Sequence, residues 1–432
     1  AAHSLSVEEQ ITYTNTTPDR LETLVFAVGA RRYPGVFQLA RIEKADGERI
    51  FHFIWKDTML SVPLDPALEP GESIQLTLSY SLQLLDVAKQ AQIRQYPLGY
   101  TSLQANFGDW YPFIPPYQSG TGWLAHPPSA YGEHLVYDIA DFEVAIRQQG
   151  AQTGLILAAG ALPEMDGEWT RYQHTAARSF AWSASPYYDV ITQTVQIPSG
   201  GQALLSSYAF AFHAKASQAV LTALAQAVEL YSRLYGAFPR PALTAVQVEF
   251  LDGMEYDGLF FLSSDFYNWH KDEPQDFLLA LTAHETAHMW WYGLVGNDQA
   301  LHPWLDEALC TYSERLFYEA YYPQALAWWW AYRVNYYEPE GWVDIQVYDV
   351  PGPDSQYRLY RDPVYLRGAL FMEELRLLVG DPAFFAALRS YLQAHAYRQA
   401  APPDFFAAVR AHSAADLQPL LERYFKDVDA LR

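Results

Sequence analysis

Two histidines one helical turn apart, His284 and His288, constrain this chain more than any other feature. Glu285 stands beside the first, and eighteen residues separate the second from Glu307. The run before them, Asp276-Phe-Leu-Leu-Ala-Leu-Thr-Ala-His, has apolar residues at helical spacing and almost no breakers, which predicts a buried helix. On such a helix both imidazoles lie on one face and can point at one metal ion, with Glu285 next to them but not a ligand. Pro303-Trp-Leu-Asp-Glu-Ala-Leu-Cys-Thr-Tyr-Ser-Glu predicts a second helix with Pro303 in its first turn. Its Glu307 faces back across the pair. Two histidines and one carboxylate leave the fourth position of a tetrahedral Zn²⁺ open for water, the pattern of catalytic rather than structural zinc.

A bare H-E-x-x-H also arises in helices whose histidines are merely packed or exposed. The third carboxylate, on a predicted helix of its own, separates the two readings. Glu314 lies two turns after Glu307 on the same face. It either accepts the free N–H of a ligand histidine or is an ordinary solvated glutamate.

With Trp304-Leu-Asp-Glu-Ala at the third ligand, this pattern resembles the aminopeptidase N family of zinc metallopeptidases, the gluzincin aminopeptidases. That family usually reads Trp-Leu-Asn-Glu-Gly there, so Asp306 and Ala308 depart from it. Gly253-Met254-Glu255-Tyr256 resembles the family's Gly-x-Met-Glu-Asn, whose Glu holds the substrate's free amine; Tyr256 replaces the Asn. Tyr365-Leu366-Arg367-Gly368 resembles its Tyr-x-Lys-Gly, whose Tyr stabilises the tetrahedral intermediate. Leu103-Gln104-Ala105-Asn106-Phe107-Gly108-Asp109-Trp110-Tyr111-Pro112 is similar to a segment that supplies a Glu or Gln to the amine, and Gln104 is the nearest match. The alternative for Gln104 is a loop residue that only satisfies backbone groups.

Residues 1–213 are dominated by short strand signals, among them Ser6–Asn15, Phe51–Trp55, Ser73–Tyr80, Asp141–Ile146, Gly154–Ala159 and Ala203–Phe212. Separated by Pro- and Gly-bearing connections, they predict an antiparallel β-sandwich or saddle. From about 214 the pattern turns helical, beginning with an amphipathic run from Ser217 that Gly236 and Pro239 stop. The expected architecture is α+β, with an all-β unit at 1–213 and a thermolysin-like catalytic unit at 214–432. The aromatic tract Trp328–Tyr337 is expected mostly in the core. The irregular stretch 338–363 is expected to border the cleft. Helical patterns at Tyr365–Leu378, Pro382–His395, Pro403–Ser413 and Leu417–Phe425 follow. Family members usually continue into a large helical domain that roofs the cleft, so the resemblance implies a more open site here.

The balance of 28 basic and 50 acidic residues, a net charge of −22, disfavours nucleic acid and anionic lipid as partners and suits amine-bearing substrates. The single Cys310 excludes an internal disulfide framework and reads as a packed small residue. No apolar run approaches the length needed to span a bilayer. These observations point to a peptidase with one Zn²⁺ per chain held by His284, His288 and Glu307, and with Glu285 as general base. The resemblance adds Tyr365 as oxyanion donor, and Glu255 with Gln104 as the amine site for peptides with a free amino terminus. An endopeptidase on the same scaffold and a catalytically silent peptide-binding protein remain alternatives.

Overall fold

The computed structural model describes residues 3–89, 97–150, 154–198, 200–352 and 356–432. Its first half is built from antiparallel strands. Ser73–Gln83 runs between Ser4–Thr14 and Phe37–Lys44, and Met59–Leu68 between Leu21–Ala27 and Ile54–Lys56. Alternation decides which face goes inward. Leu76, Leu78 and Leu82 of the first sheet share one core with Leu24, Phe26, Leu60 and Val62 of the second. Burying each such side chain contributes about 1.5–3 kcal/mol. The stretch expected to pair from Phe51 pairs only at Ile54–Lys56, and Phe51 stays exposed.

A five-stranded sheet ties this half to the next, in the order Tyr188–Gln196, Gln202–Phe210, Ala242–Val248, Leu259–Ser263, Gly253–Tyr256. The three middle strands are parallel and the two outer ones antiparallel to their neighbours. The change from strand to helix falls at 213/214, where α1 (Ala214–Leu234) begins, yet this sheet takes strands from both sides of that position. The amphipathic pattern of α1 buries Val220, Leu224, Val228 and Tyr231.

Nine further helices follow among the described residues: α2 (Ser264–Trp269), α3 (Phe277–Ala287), α4 (Trp304–Tyr321), α5 (Leu326–Trp328), α6 (Tyr357–Arg361), α7 (Gly368–Val379), α8 (Asp381–His395), α9 (Pro402–His412) and α10 (Gln418–Tyr424). The last three match the expected spans closely. The helix expected to start at Tyr365 instead continues from α6 through a π-helical turn, Asp362–Arg367, into α7. Pro363 lacks the N–H that a regular α-turn needs there, and a widened turn absorbs the loss. The aromatic tract divides: Trp329 and Val334 are fully buried, whereas Tyr332 and Tyr336 are exposed. Among the described residues no helix is long and apolar enough to cross a membrane. The architecture is mixed α+β, strands first and helices after.

Candidate active site

α3 is buried almost all round, so its polar groups need internal partners. The Asp276 carboxylate caps its start, accepting from the Leu278 N–H at 2.8 Å, and His270 Nδ1 pins the same carboxylate at 2.6 Å. Thr282 and Thr286 donate their hydroxyls one turn back, to the carbonyls of Leu278 and Thr282. Helix spacing then brings His284 and His288 together at the end of α3, facing Glu307 in the first turn of α4.

Each histidine has its Nδ1 engaged away from the other. His284 Nδ1 lies 2.9 Å from Glu314 Oε1, and His288 Nδ1 lies 3.1 Å from the Trp291 carbonyl. Both partners are acceptors, so both Nδ1 atoms carry protons and both Nε2 atoms are left with lone pairs. These Nε2 atoms are 3.2 Å apart, and Glu307 Oε2 is 3.1 Å from one and 3.7 Å from the other. Three lone-pair donors thus converge with room for one cation, the chemistry of a divalent metal site. Charge gives the same answer. Burial lowers the His284 pKa, but Glu307 and Glu314 outweigh it and hold it at about 10. Burial dominates at His288 and pushes it down to about 4. The pocket therefore demands a positive charge at His284 Nε2, which either a proton or a metal ion supplies. Glu314 is fully buried, not solvated. Arg333 grips both its oxygens at 2.7 and 2.8 Å, and Trp329 Nε1 adds a third bond at 3.0 Å.

A cavity of about 170 Å³ opens on this cluster, lined also by Glu133, Gly253, Glu255, Glu285, Tyr337, Tyr357, Arg361 and Tyr365. Glu285 Oε2 is buried with no hydrogen-bond partner among the described residues. Gly253 leaves room for this carboxylate, because a Cβ there would lie 2.1 Å from Glu285 Oε1 and displace it. Strand alternation turns Glu255 into the cavity and Tyr256 out of it. The Tyr256 hydroxyl donates to Asp109 at 3.2 Å, so replacing the family's Asn leaves the cavity itself unoccupied by that side chain. Glu255 Oε1 accepts from Gln299 Nε2 at 3.0 Å, and Gln299 also donates to Asp306 at 2.8 Å, which accommodates Asp where the family has Asn. Two residues past Glu255, Asp257 leaves the site altogether. Arg240 and His174 hold it ionised against a burial that would raise its pKa.

Glu133 is the residue that sequence reading missed. It sits in an irregular segment between Gly132 and His134, with no periodicity or motif to mark it. The fold brings one of its oxygens, one of Glu255 and one of Glu307 within 4.8 Å of one another. Burial, then Glu307, raises Glu133 to about 8. Burial raises Glu285 to about 8 against the pull of His284. Burial and the Glu133 charge push Glu255 well above the carboxylate range.

Tyr365 lies against the cluster: its ring stacks on His284 with centroids 6.1 Å apart, and its hydroxyl helps lower the Glu307 pKa. Tyr360 is fully buried against Gly132 and does not line the cavity. Gly368 lets α7 close on α4, since a Cβ there would lie 2.4 Å from that of Ala308. Cys310 is buried in α4 outside the triad. Gln104 does not reach the cavity and corrects the sequence expectation. Its buried amide donates to the Gln247 carbonyl at 3.0 Å and accepts from the Asn106 amide at 2.8 Å, satisfying strand groups instead.

Residues 220–424 match the peptidase family M1 domain. Aminopeptidase M1-D of Oryza sativa subsp. japonica is 24% identical over 216 residues, 46% of this chain and 24% of that protein. The match thus spans about a quarter of that relative's length. The M1 zinc metallopeptidase of Deinococcus radiodurans, in a mutant form bound to a Tyr-Ser-Ala substrate, is similar over 96% of this chain and 89% of its own. Its TM-score is 0.62 at 17% identity. Aminopeptidase A of Legionella pneumophila, in complex with aspartic acid, has a TM-score of 0.70 at 14% identity over 98% of this chain and 47% of that one. The fold is thus shared along nearly the whole chain, and residues 220–424, which match the peptidase family M1 domain, hold the His284, His288 and Glu307 cluster.

Proposed function

We propose that this protein is a zinc-dependent aminopeptidase that removes the first residue from peptides. The observation that carries the reading is one cavity in which three lone-pair donors, a Glu285 with one buried oxygen unpartnered among the described residues, and the carboxylates of Glu133 and Glu255 converge. His284, His288 and Glu307 would hold a zinc ion, which would supply Lewis-acid chemistry to the scissile carbonyl and to an attacking water. Glu285 takes a proton from the attacking water and returns it to the leaving amine. The Tyr365 hydroxyl donates to the carbonyl oxygen as it becomes anionic. Glu133 and Glu255 accept from the substrate's ammonium and so fix the register at the first peptide bond. On this reading the β-rich region 1–213 contributes Glu133 to a site otherwise built from 214–432. A similar protein bound to a tripeptide substrate supports peptides as the substrate class.

The test compares free and N-acetylated aminoacyl substrates with and without a chelator. Loss of the ammonium strands two buried carboxylates at a cost of about 2–5 kcal/mol, or roughly 30- to several-thousand-fold in kcat/KM. Comparable rates on free and acetylated peptides would overturn the reading in favour of an endopeptidase. Full activity after chelation would remove the metal.

A further inference from the structure

The cavity has a second kind of charge that the amine site does not use. Arg333 lines it, but its Nε and Nη2 form a two-bond pair with the Glu314 carboxylate, so that pair carries no net charge. Arg361 also lines it and is differently placed. Asp362 is shared by two guanidiniums, accepting from Arg358 at 3.0 Å and from Arg361 at 2.8 Å, so the group of three carries one net positive charge. Arg358 is 61% exposed and faces solvent, whereas Arg361 is 17% exposed, lies 3.9 Å over the Tyr337 ring and borders the cavity. Arg361 spends Nε and Nη2 on one Asp362 oxygen, and its Nη1 has no hydrogen-bond partner among the described residues. In a chain of net charge −22, a buried acid shared by two arginines leaves a cation where a substrate passes.

Its position relative to the chemistry sets what it meets. Arg361 precedes Tyr365 by one helical turn, so both side chains lie on one face of the same helical run. A peptide anchored by its amine at Glu133 and Glu255, with its first carbonyl at Tyr365, must send the rest of its chain past the metal ligands. Each further residue advances it by about 3.3–3.6 Å. We propose that Arg361 receives a carboxylate on the leaving side of the scissile bond, which makes short peptides or peptides with an early acidic residue the preferred substrates. The proposal rests on the aminopeptidase reading. A carboxylate reaches Arg361 from one of two sources, the free carboxy terminus of a di- or tripeptide or an Asp or Glu side chain just after the scissile bond.

The experiment measures kcat/KM at fixed ionic strength for Leu-Ala and Leu-Ala-Ala, for the carboxy-terminal amide of each, and for the amide of Leu-Asp-Ala. A charge-assisted bond to Arg361 predicts that at least one free acid exceeds its amide by about 10- to 100-fold. Rate restored in the Leu-Asp-Ala amide assigns the acidic side chain as a source; no restoration assigns the chain terminus. In Arg361→Met the acid-to-amide ratio should fall to within about threefold of unity, and Arg361→Lys should keep part of it. Equal rates on acid and amide in the unmodified enzyme would overturn the proposal, as would a ratio that survives Arg361→Met. The comparison in the unmodified enzyme stands even if neither variant folds. Release of leucine from the amides without a carboxylate preference overturns this proposal alone. Failure to release leucine from any free-amine substrate overturns it together with the aminopeptidase reading.

Discussion

The helical wall of the cavity and its strand-and-loop wall are both acidic and both buried, yet they treat their charges in opposite ways. On the helical wall the histidines and Glu314 are answered, His284 by Glu314, Glu314 by Arg333 and Trp329, and His288 by a backbone carbonyl, while Glu285 of α3 keeps a buried oxygen with no partner among the described residues. On the other wall Glu133 keeps a buried oxygen with no partner among the described residues, and Glu255 accepts from a glutamine amide shared with Asp306. Asp257 shows that an acid here can be fully paired, for it lies two residues from Glu255 and is held by Arg240 and His174. The difference teaches that the histidine–Glu314 set on the helical wall is finished before substrate arrives, whereas the other wall stores unmet demand for a cation. A preorganised ligand set suits a metal of fixed geometry, and stranded carboxylates suit a mobile ammonium.

Removing the base breaks the contrast most severely. Glu285→Gln should keep the zinc content and the fold while lowering kcat by about 10²- to 10⁴-fold. Elemental analysis beside steady-state rates checks both halves, and a near-normal rate would take the base role from Glu285. Glu255→Ala should lower kcat/KM on free-amine substrates by up to a few thousandfold and narrow the gap to acetylated ones. An unchanged ratio between the two substrate types would move the amine site elsewhere. Tyr365→Phe should cost about 100- to 1,000-fold, almost all of it in kcat, because the hydroxyl matters once the carbonyl oxygen is anionic. An effect confined to KM would make it a binding residue instead.

The finished wall is sharpened by a smaller change. Glu314→Gln should weaken zinc affinity by about 10- to 100-fold, read by competition with a chelator, while free-amine selectivity stays as it was. The smallest effect on activity belongs to Asp257. Its pKa is depressed in the folded state, so its ion pair with Arg240 stabilises fully above the unfolded carboxylate range and is lost as pH falls through the lower folded value. Asp257→Asn should therefore cost about 3–5 kcal/mol in denaturant unfolding at pH 7. That difference should shrink progressively below about pH 4. A pH-independent difference would mean that the pair contributes through packing alone.

The sequence by itself determined the parts whose geometry is local. A helix places residues four apart on one face whatever surrounds it, so His284, His288 and the line from Glu307 to Glu314 were legible from spacing. Tertiary structure alone decided what depends on distant segments meeting. Glu133 has no pattern of its own and enters the site because its loop packs against the Gly253–Tyr256 strand and α4. Gln104 carries a similar side chain in a likelier-looking segment, but pairing of the neighbouring Ala105–Phe107 strand claims its amide. The same applies to Glu314, whose charge is answered by Arg333 and Trp329 from a later segment. Periodicity sets which way a side chain points, and burial against a remote partner sets whether its charge is already answered.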